Sequence, residues 1–254
     1  MKEVLLTALG VGAATVVGAL LGFVFKKPSH RFNDITLSFA AGVMLAAAVV
    51  GLIIPSLEYG SVGNWSIFIT VLGIFIGALC LNLIDKLVPH LHKMTGVDNE
   101  AHPEKTEQLN KVLLFVIAIA IHNLPEGIAA GVSFGTGDNM QAITVAAGIA
   151  LQNIPEGMVI IAPMLASGIS HRRTFVIALM TGVVEVVGTL LGYFAATLSA
   201  AVLPFALAFA GGTMLYVISD EMIPETHAHG CERAATYALI FGFCLMLAFD
   251  FFLG

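Results

Sequence analysis

The sequence predicts an all-α polytopic membrane protein with eight transmembrane helices in one domain, on three observations. Of its 254 residues, 58% are hydrophobic and only 11% charged, against roughly a quarter charged in soluble domains. The apolar residues fall into eight blocks of the length, about 20 residues, that an α-helix needs to cross a bilayer. Two pairs of short motifs also recur at one spacing along the chain. The blocks are Val4–Phe25, Ile35–Leu57, Ser66–Val88, Lys111–Phe134, Ala142–Leu165, Thr174–Leu198, Leu203–Ile223 and Ala234–Phe252.

Span one is too long for a signal-peptide core and lacks a cleavage pattern, so it reads as a retained helix. Its TVVGALLGF (Thr15–Phe23) matches EVVGTLLGY (Glu185–Tyr193) in span six, and FAAGVML (Phe39–Leu45) in span two matches FAGGTML (Phe209–Leu215) in span seven. Both pairs are offset by 170 residues. Spans three and eight show no clear match. The offset covers five helices, an odd number, so the copies cross the membrane in opposite senses. That is an inverted repeat of helices 1–3 and 6–8 around helices 4–5, a plan of transporters whose sites lie near the midplane.

Span three ends in Asn82 and Asp85, which can reach water and read as structural or rim groups, as does Asp250 near the outer end of span eight. The connection after span three, about 89–110, is the sizeable polar segment: HLHKMTGVDNEAHPEKTEQLN. It predicts a mobile loop in which His90, His92 and His102 either collect metal or are ordinary surface histidines. Lys26, Lys27, Arg31, Lys86, Lys93, Lys105, Lys111, Arg172, Arg173 and Arg233 all lie on one side of the predicted membrane, and Lys2 alone on the other. The positive-inside rule makes that side cytoplasmic and places both termini outside. Seven of the eight histidines share the cytoplasmic side; His122 is the exception.

Spans four and five carry HNLPEG (His122–Gly127) and QNIPEG (Gln152–Gly157). His122 and Glu126 are four apart and share a helical face, as do Gln152 and Glu156, with Asn123 and Asn153 about 100° round. His122, Gln152 and Glu185 each lie about eleven residues into their spans, roughly 16 Å deep and near the middle of a 30 Å core. Ionisable groups there cost about 2.5–3.5 kcal/mol each on insertion scales. No lysine or arginine lies at that depth, so protons or a bound cation must balance the carboxylates. Imidazole, carboxylate and amide donors together suit zinc and its first-row neighbours. Pro125 and Pro155 each remove a backbone hydrogen bond, and irregular backbone at membrane depth belongs in a protein interior or a watery pathway.

At the cytoplasmic end of span seven, SDEMIPETHAHGC (Ser219–Cys231) gathers Asp220, Glu221, Glu225, His227 and His229. They form either an exit or sensing site for a departing cation or a solvated acidic loop. Three cysteines, Cys80, Cys231 and Cys244, make no spaced framework. The charge of −6 is spread over separate connections, and no nucleic-acid partner is expected.

The paired hexapeptides, in an eight-span chain with a histidine-bearing loop after span three, resemble the ZIP (Zrt/Irt-like) family of divalent metal transporters, and most of all its bacterial GufA-like branch. The resemblance covers the whole chain. It implies import of Zn²⁺, with Fe²⁺, Mn²⁺, Co²⁺ or Cd²⁺ tolerated, through a site between helices four and five that holds two metals. It would assign His122, Glu126, Gln152 and Glu156 to one metal. Asn123, Asn153 and Glu185 would join the bridging glutamates Glu126 and Glu156 at the other. Met44 matches a position bordering the transport site. The resemblance also implies that helices one, four, five and six move as a unit against two, three, seven and eight, an elevator-type motion, with homodimerisation through the second group. Gln152 stands where many members carry histidine, and Asn153 where some carry aspartate, which makes this ligand set richer in oxygen.

The expectation is therefore a zinc importer of the inner cell membrane, not an enzyme. A buried metalloenzyme is the rival from another class, but the sequence has no H-E-x-x-H helix. A proton-coupled metal exporter is the rival among transporters, because ligands do not encode direction.

Overall fold

The computed structural model describes residues 1–24, 29–59, 65–94, 123–166, 168–198 and 201–253; for residues 85, 87–94, 163 and 166 it describes the backbone alone. All regular structure among the described residues is helical. In chain order the helices are α1 (Lys2–Val24), α2 (His30–Tyr59), α3 (Trp65–Met94), α4 (123–133), α5 (Asn139–Ala166), α6 (His171–Leu198), α7 (Leu203–Thr226) and α8 (Glu232–Leu253). Seven of them, all but α4, contain a stretch long and apolar enough to cross a membrane. Span four's first half, through His122, lies outside the described residues, as do residues 95–110 of the expected loop. The start of that loop differs from expectation: residues 89–94 continue α3 as helix. Pro89 lies inside that extension, so it does not end the helix.

Local chemistry sets the helix starts. The Ser29 hydroxyl accepts the Phe32 N–H at 3.2 Å and caps α2. After a short 3₁₀ turn (Phe134–Thr136), Gly137 takes φ +82° and reverses the chain. The Asp138 carboxylate then accepts the N–H groups of Met140 and Gln141 at 2.9 and 3.1 Å to begin α5.

Two helices share one irregularity. α2 widens into a π turn at Val49–Ile53 and α7 does so at Ile218–Met222, each just before an Ile-Pro pair (Ile54-Pro55, Ile223-Pro224). Proline has no N–H to give and crowds the preceding turn. The wider turn shifts the register to five residues, so that the Ile54 N–H reaches Val49 O and the Ile223 N–H reaches Ile218 O.

Helices pack in pairs through glycines pressed on backbone carbonyls. On α1 and α5, a Cβ placed on Gly18 would lie 2.1 Å from Ile154 O, and one on Gly157 would lie 2.2 Å from Thr15 O. On α6 and α4, Gly188 faces Leu124 O and Gly127 faces Glu185 O in the same manner. Each residue of the second pairing stands either 170 positions after or 30 positions before its counterpart in the first. Gly12 and Gly182, also 170 apart, meet each other's carbonyls reciprocally at 2.5 Å where α1 crosses α6. α2 on α8 (Gly42 on Leu239 O, Gly242 on Phe39 O) and α7 on α3 (Gly212 on Ile74 O, Gly77 on Phe209 O) follow the same scheme. There α3 and α8 correspond at an offset of 165, although their sequences show no clear match.

Elsewhere the glycine contacts differ. Where α5 faces α2 and α8, glycines receive side-chain tips: Val145 Cγ2 against Gly51 and Met246 Sδ against Gly148. The outward faces of α3 and α8 expose large apolar residues such as Phe75 and Phe241, as a hydrocarbon surround requires.

Candidate metal-binding site

The polar residues of the hexapeptides lie in the protein interior. Asn123, Glu126, Gln152, Asn153 and Glu185 are each at most 1% exposed, and Glu156 is half-buried. Glu126 is within electrostatic reach of Glu156 and Glu185, and Gln152 stands beside Glu126. Glycine contacts explain the convergence. Gly127, next to Glu126, rests on the Glu185 carbonyl, and Gly157, next to Glu156, rests on the Thr15 carbonyl. The absent side chains let α4 approach α6 and α5 approach α1, which brings three carboxylates into one neighbourhood.

Glu185 is held by three neutral donors. The Thr15 hydroxyl donates to its Oε1 at 2.6 Å, the Asn123 amide donates to the same oxygen, and the Asn153 amide donates to Oε2 at 2.8 Å. Asn153 Nδ2 also approaches the Val11 carbonyl at 3.4 Å. An ionised carboxylate only accepts, so both asparagines turn their nitrogens toward Glu185 and their oxygens elsewhere.

Those oxygens find nothing. Among the described residues, Asn123 Oδ1, Asn153 Oδ1, both oxygens of Glu126, and Oε1 and Nε2 of Gln152 have no hydrogen-bond partner. A buried polar atom without a partner costs roughly 1–3 kcal/mol, more when charged. Five of the six are oxygen acceptors, the donor type that a divalent cation takes. Among the described residues no three His, Cys, Asp or Glu side chains form a closed metal cluster. The group at the hexapeptides is instead a mixed carboxylate–amide set, with the position of its imidazole, His122, outside the described residues.

The remaining candidates are placed as follows. Met44 on α2 is fully buried. Asp220 and Glu225 are exposed and Glu221 is half-buried. The His227 ring is within hydrogen-bond distance of Ile223 O at 2.8 Å and Thr236 Oγ1 at 3.2 Å, so it ties the end of α7 to α8. His229 leaves that acidic group altogether: its Nδ1 lies 3.0 Å from Asp34 Oδ1, and its ring stacks on His30. The side chains of His90 and His92 are outside the described set. Asn82 donates to the Tyr216 hydroxyl at 2.7 Å, which joins α3 to α7.

Sequence reasoning missed Thr15 and Asp34. The repeat contained a signal for the first, since Thr15 occupies the position in TVVGALLGF that Glu185 occupies in EVVGTLLGY. Asp34 gave none beyond a carboxylate at the edge of an apolar block.

Comparison with known proteins adds relatives to this geometry. Residues 98–250 match the family model described as "ZIP Zinc transporter". The chain is 42% identical to the zinc transporter GufA of Myxococcus xanthus, over 98% of both chains. It is 39% identical to the zinc transporter ZIPB of Bordetella bronchiseptica, over 95% of this chain and 78% of that one. It is 30% identical to the zinc transporter ZIP11 of Homo sapiens, over 94% of each.

Proposed function

Because this chain belongs to the ZIP family of zinc transporters, we propose that it carries Zn²⁺ into the cytoplasm through the buried site between α4, α5 and α6. The observation that carries this reading is the set of six buried polar atoms on Asn123, Glu126, Gln152 and Asn153 that have no partner among the described residues. They need a cation as much as a cation needs them. Glu126 and Glu156 bridge two ions, His122 and Gln152 complete the shell of one, and Asn123, Asn153 and Glu185 that of the other. Three carboxylates at −3 roughly balance two divalent ions at +4, with the amides neutral. Fe²⁺, Mn²⁺, Co²⁺ and Cd²⁺ are further substrates that such an oxygen-rich set can accept.

The packing supports alternating access by an elevator-type motion. Carbonyl-on-glycine contacts fasten α1, α4, α5 and α6 into one group, and in the other they pair α2 with α8 and α3 with α7. The seam between the groups rests on side-chain tips, which move by rotamer change where backbone cannot. An inverted repeat, both termini outside the cytoplasm and a homodimer through the second group complete the proposal. The metalloenzyme reading gains no support, since the relatives named above are transporters.

The test is radiozinc flux into proteoliposomes holding wild type, Glu126→Ala or His122→Ala. Wild type should accumulate zinc, and both variants should lose at least tenfold in rate while remaining folded. Wild type that binds zinc without moving it would make the metal structural or catalytic.

A further inference from the structure

We propose that Thr15 is a positioning residue of the transport site, which acts by fixing the carboxylate of Glu185. Its backbone and side chain grip both sides of the site at once. The Thr15 carbonyl lies on Gly157, one residue past Glu156, while the Thr15 hydroxyl donates to Glu185 Oε1 at 2.6 Å. Threonine in a helix ordinarily returns its hydroxyl to the carbonyl four residues back. Thr15 spends its proton on another helix, at a side chain that is 1% exposed.

The Glu185 carboxylate has about four lone-pair sites. Thr15 and Asn123 fill Oε1, and Asn153 takes one site on Oε2. One lone pair is left, on Oε2, as the opening through which Glu185 can reach a cation. Without the Thr15 hydroxyl, Oε1 regains an open site, the carboxylate is free to turn, and cation geometry is no longer fixed beforehand. Thr15 stands at the repeat position of Glu185, and Asn123 at that of Asn153. The four side chains thus form one group built from matching positions of two repeats, with a hydroxyl in one copy holding a carboxylate in the other.

This inference rests on the transport reading, and the experiment separates the two. Initial rates of zinc uptake into proteoliposomes are measured over a range of zinc concentrations for wild type, Thr15→Val, Thr15→Ala and Thr15→Ser. The valine variant keeps the shape and loses the donor, and its KM should rise about tenfold, the factor that about 1.4 kcal/mol represents. The alanine variant should shift KM in the same direction and decides the matter if the valine variant does not fold. The serine variant, which restores the donor, should bring KM most of the way back. A packing role would lower Vmax with the amount of folded protein and leave KM in place. Unchanged KM in both donor-less variants, or an equal shift with serine, overturns the proposal. Absence of zinc uptake by wild type would instead sink the transport reading itself.

Discussion

Glu126 is completely buried, and neither carboxylate oxygen has a hydrogen-bond partner among the described residues. A charge left so costs several kcal/mol, so in a functioning protein those oxygens hold either protons or a cation. Both would compete for the same lone pairs, so a metal that binds there as proposed would release protons. The sign follows directly. At fixed, sub-saturating zinc, lowering the pH fills the carboxylates with protons that must leave first, and uptake should fall between about pH 7.5 and 5.5. Flat uptake across that range, with the liposomes intact, would remove proton–metal competition. The hexapeptide residues were legible in the sequence because a charged or amide group in the middle of an apolar span is expensive and needs a reason. Thr15 was not legible, because threonine is inexpensive in a helix and its usual partner is its own backbone. The pairing of His229 with Asp34 crosses 195 residues of chain, and no local pattern could announce it.

At the scale of the helix, the hexapeptide glycines set how closely the site's walls approach. A Cβ on Gly157 would lie 2.2 Å from the Thr15 carbonyl, while one on Gly10 would meet nothing within 4 Å. Gly157→Ala should therefore push α1 from α5 and cost about 1–3 kcal/mol through overpacking. In detergent that means a Tm several degrees lower, at about 2–4 °C per kcal/mol for a chain of this size. Gly10→Ala should leave Tm unchanged or raise it, since alanine is the better helix former by up to about 1 kcal/mol. Equal drops in the two variants would mean that the glycine contact carries no special weight. That the chain is built of membrane-length helices was readable from block length because hydrocarbon thickness sets that length. The π turns of α2 and α7 were not, although Pro55 and Pro224 were in view, because a proline can be accommodated by a kink as well as by a wider turn. The correspondence of α3 with α8 stayed hidden for a related reason. Its offset is 165 and not 170, and Gly77 and Gly242 keep it through a backbone contact that constrains few neighbouring side chains.

Over the whole molecule, carbonyl-on-glycine contacts join α1, α4, α5 and α6, whereas side-chain ends meet the glycines where α5 faces α2 and α8, and that difference makes a mechanical prediction. Backbone carbonyls seated on glycines do not slide without separating, whereas Val145 and Met246 meet Gly51 and Gly148 only through their side-chain ends. If one group moves past the other, a covalent link across this seam should stop transport. Gly51 and Val145 offer the place: a Cβ on Gly51 would stand 3.6 Å from the Val145 Cβ, within the span of about 3.5–4.5 Å that a disulfide takes. The background must first lose Cys80, Cys231 and Cys244. In it, Gly51→Cys with Val145→Cys should lose zinc flux on oxidation and regain it on reduction, while each single variant is indifferent to the oxidant. Flux that persists through the oxidised protein, with the link verified by mass, would mean that zinc passes without relative motion at this seam. A channel-like pathway would tolerate the link, because a fixed passage needs only the gaps between side chains. An elevator cannot, because the site on α4, α5 and α6 reaches the far side only if α5 travels along α2 and α8. If the site moves as proposed, the seam along which it travels is thus the one at which its motion can be arrested.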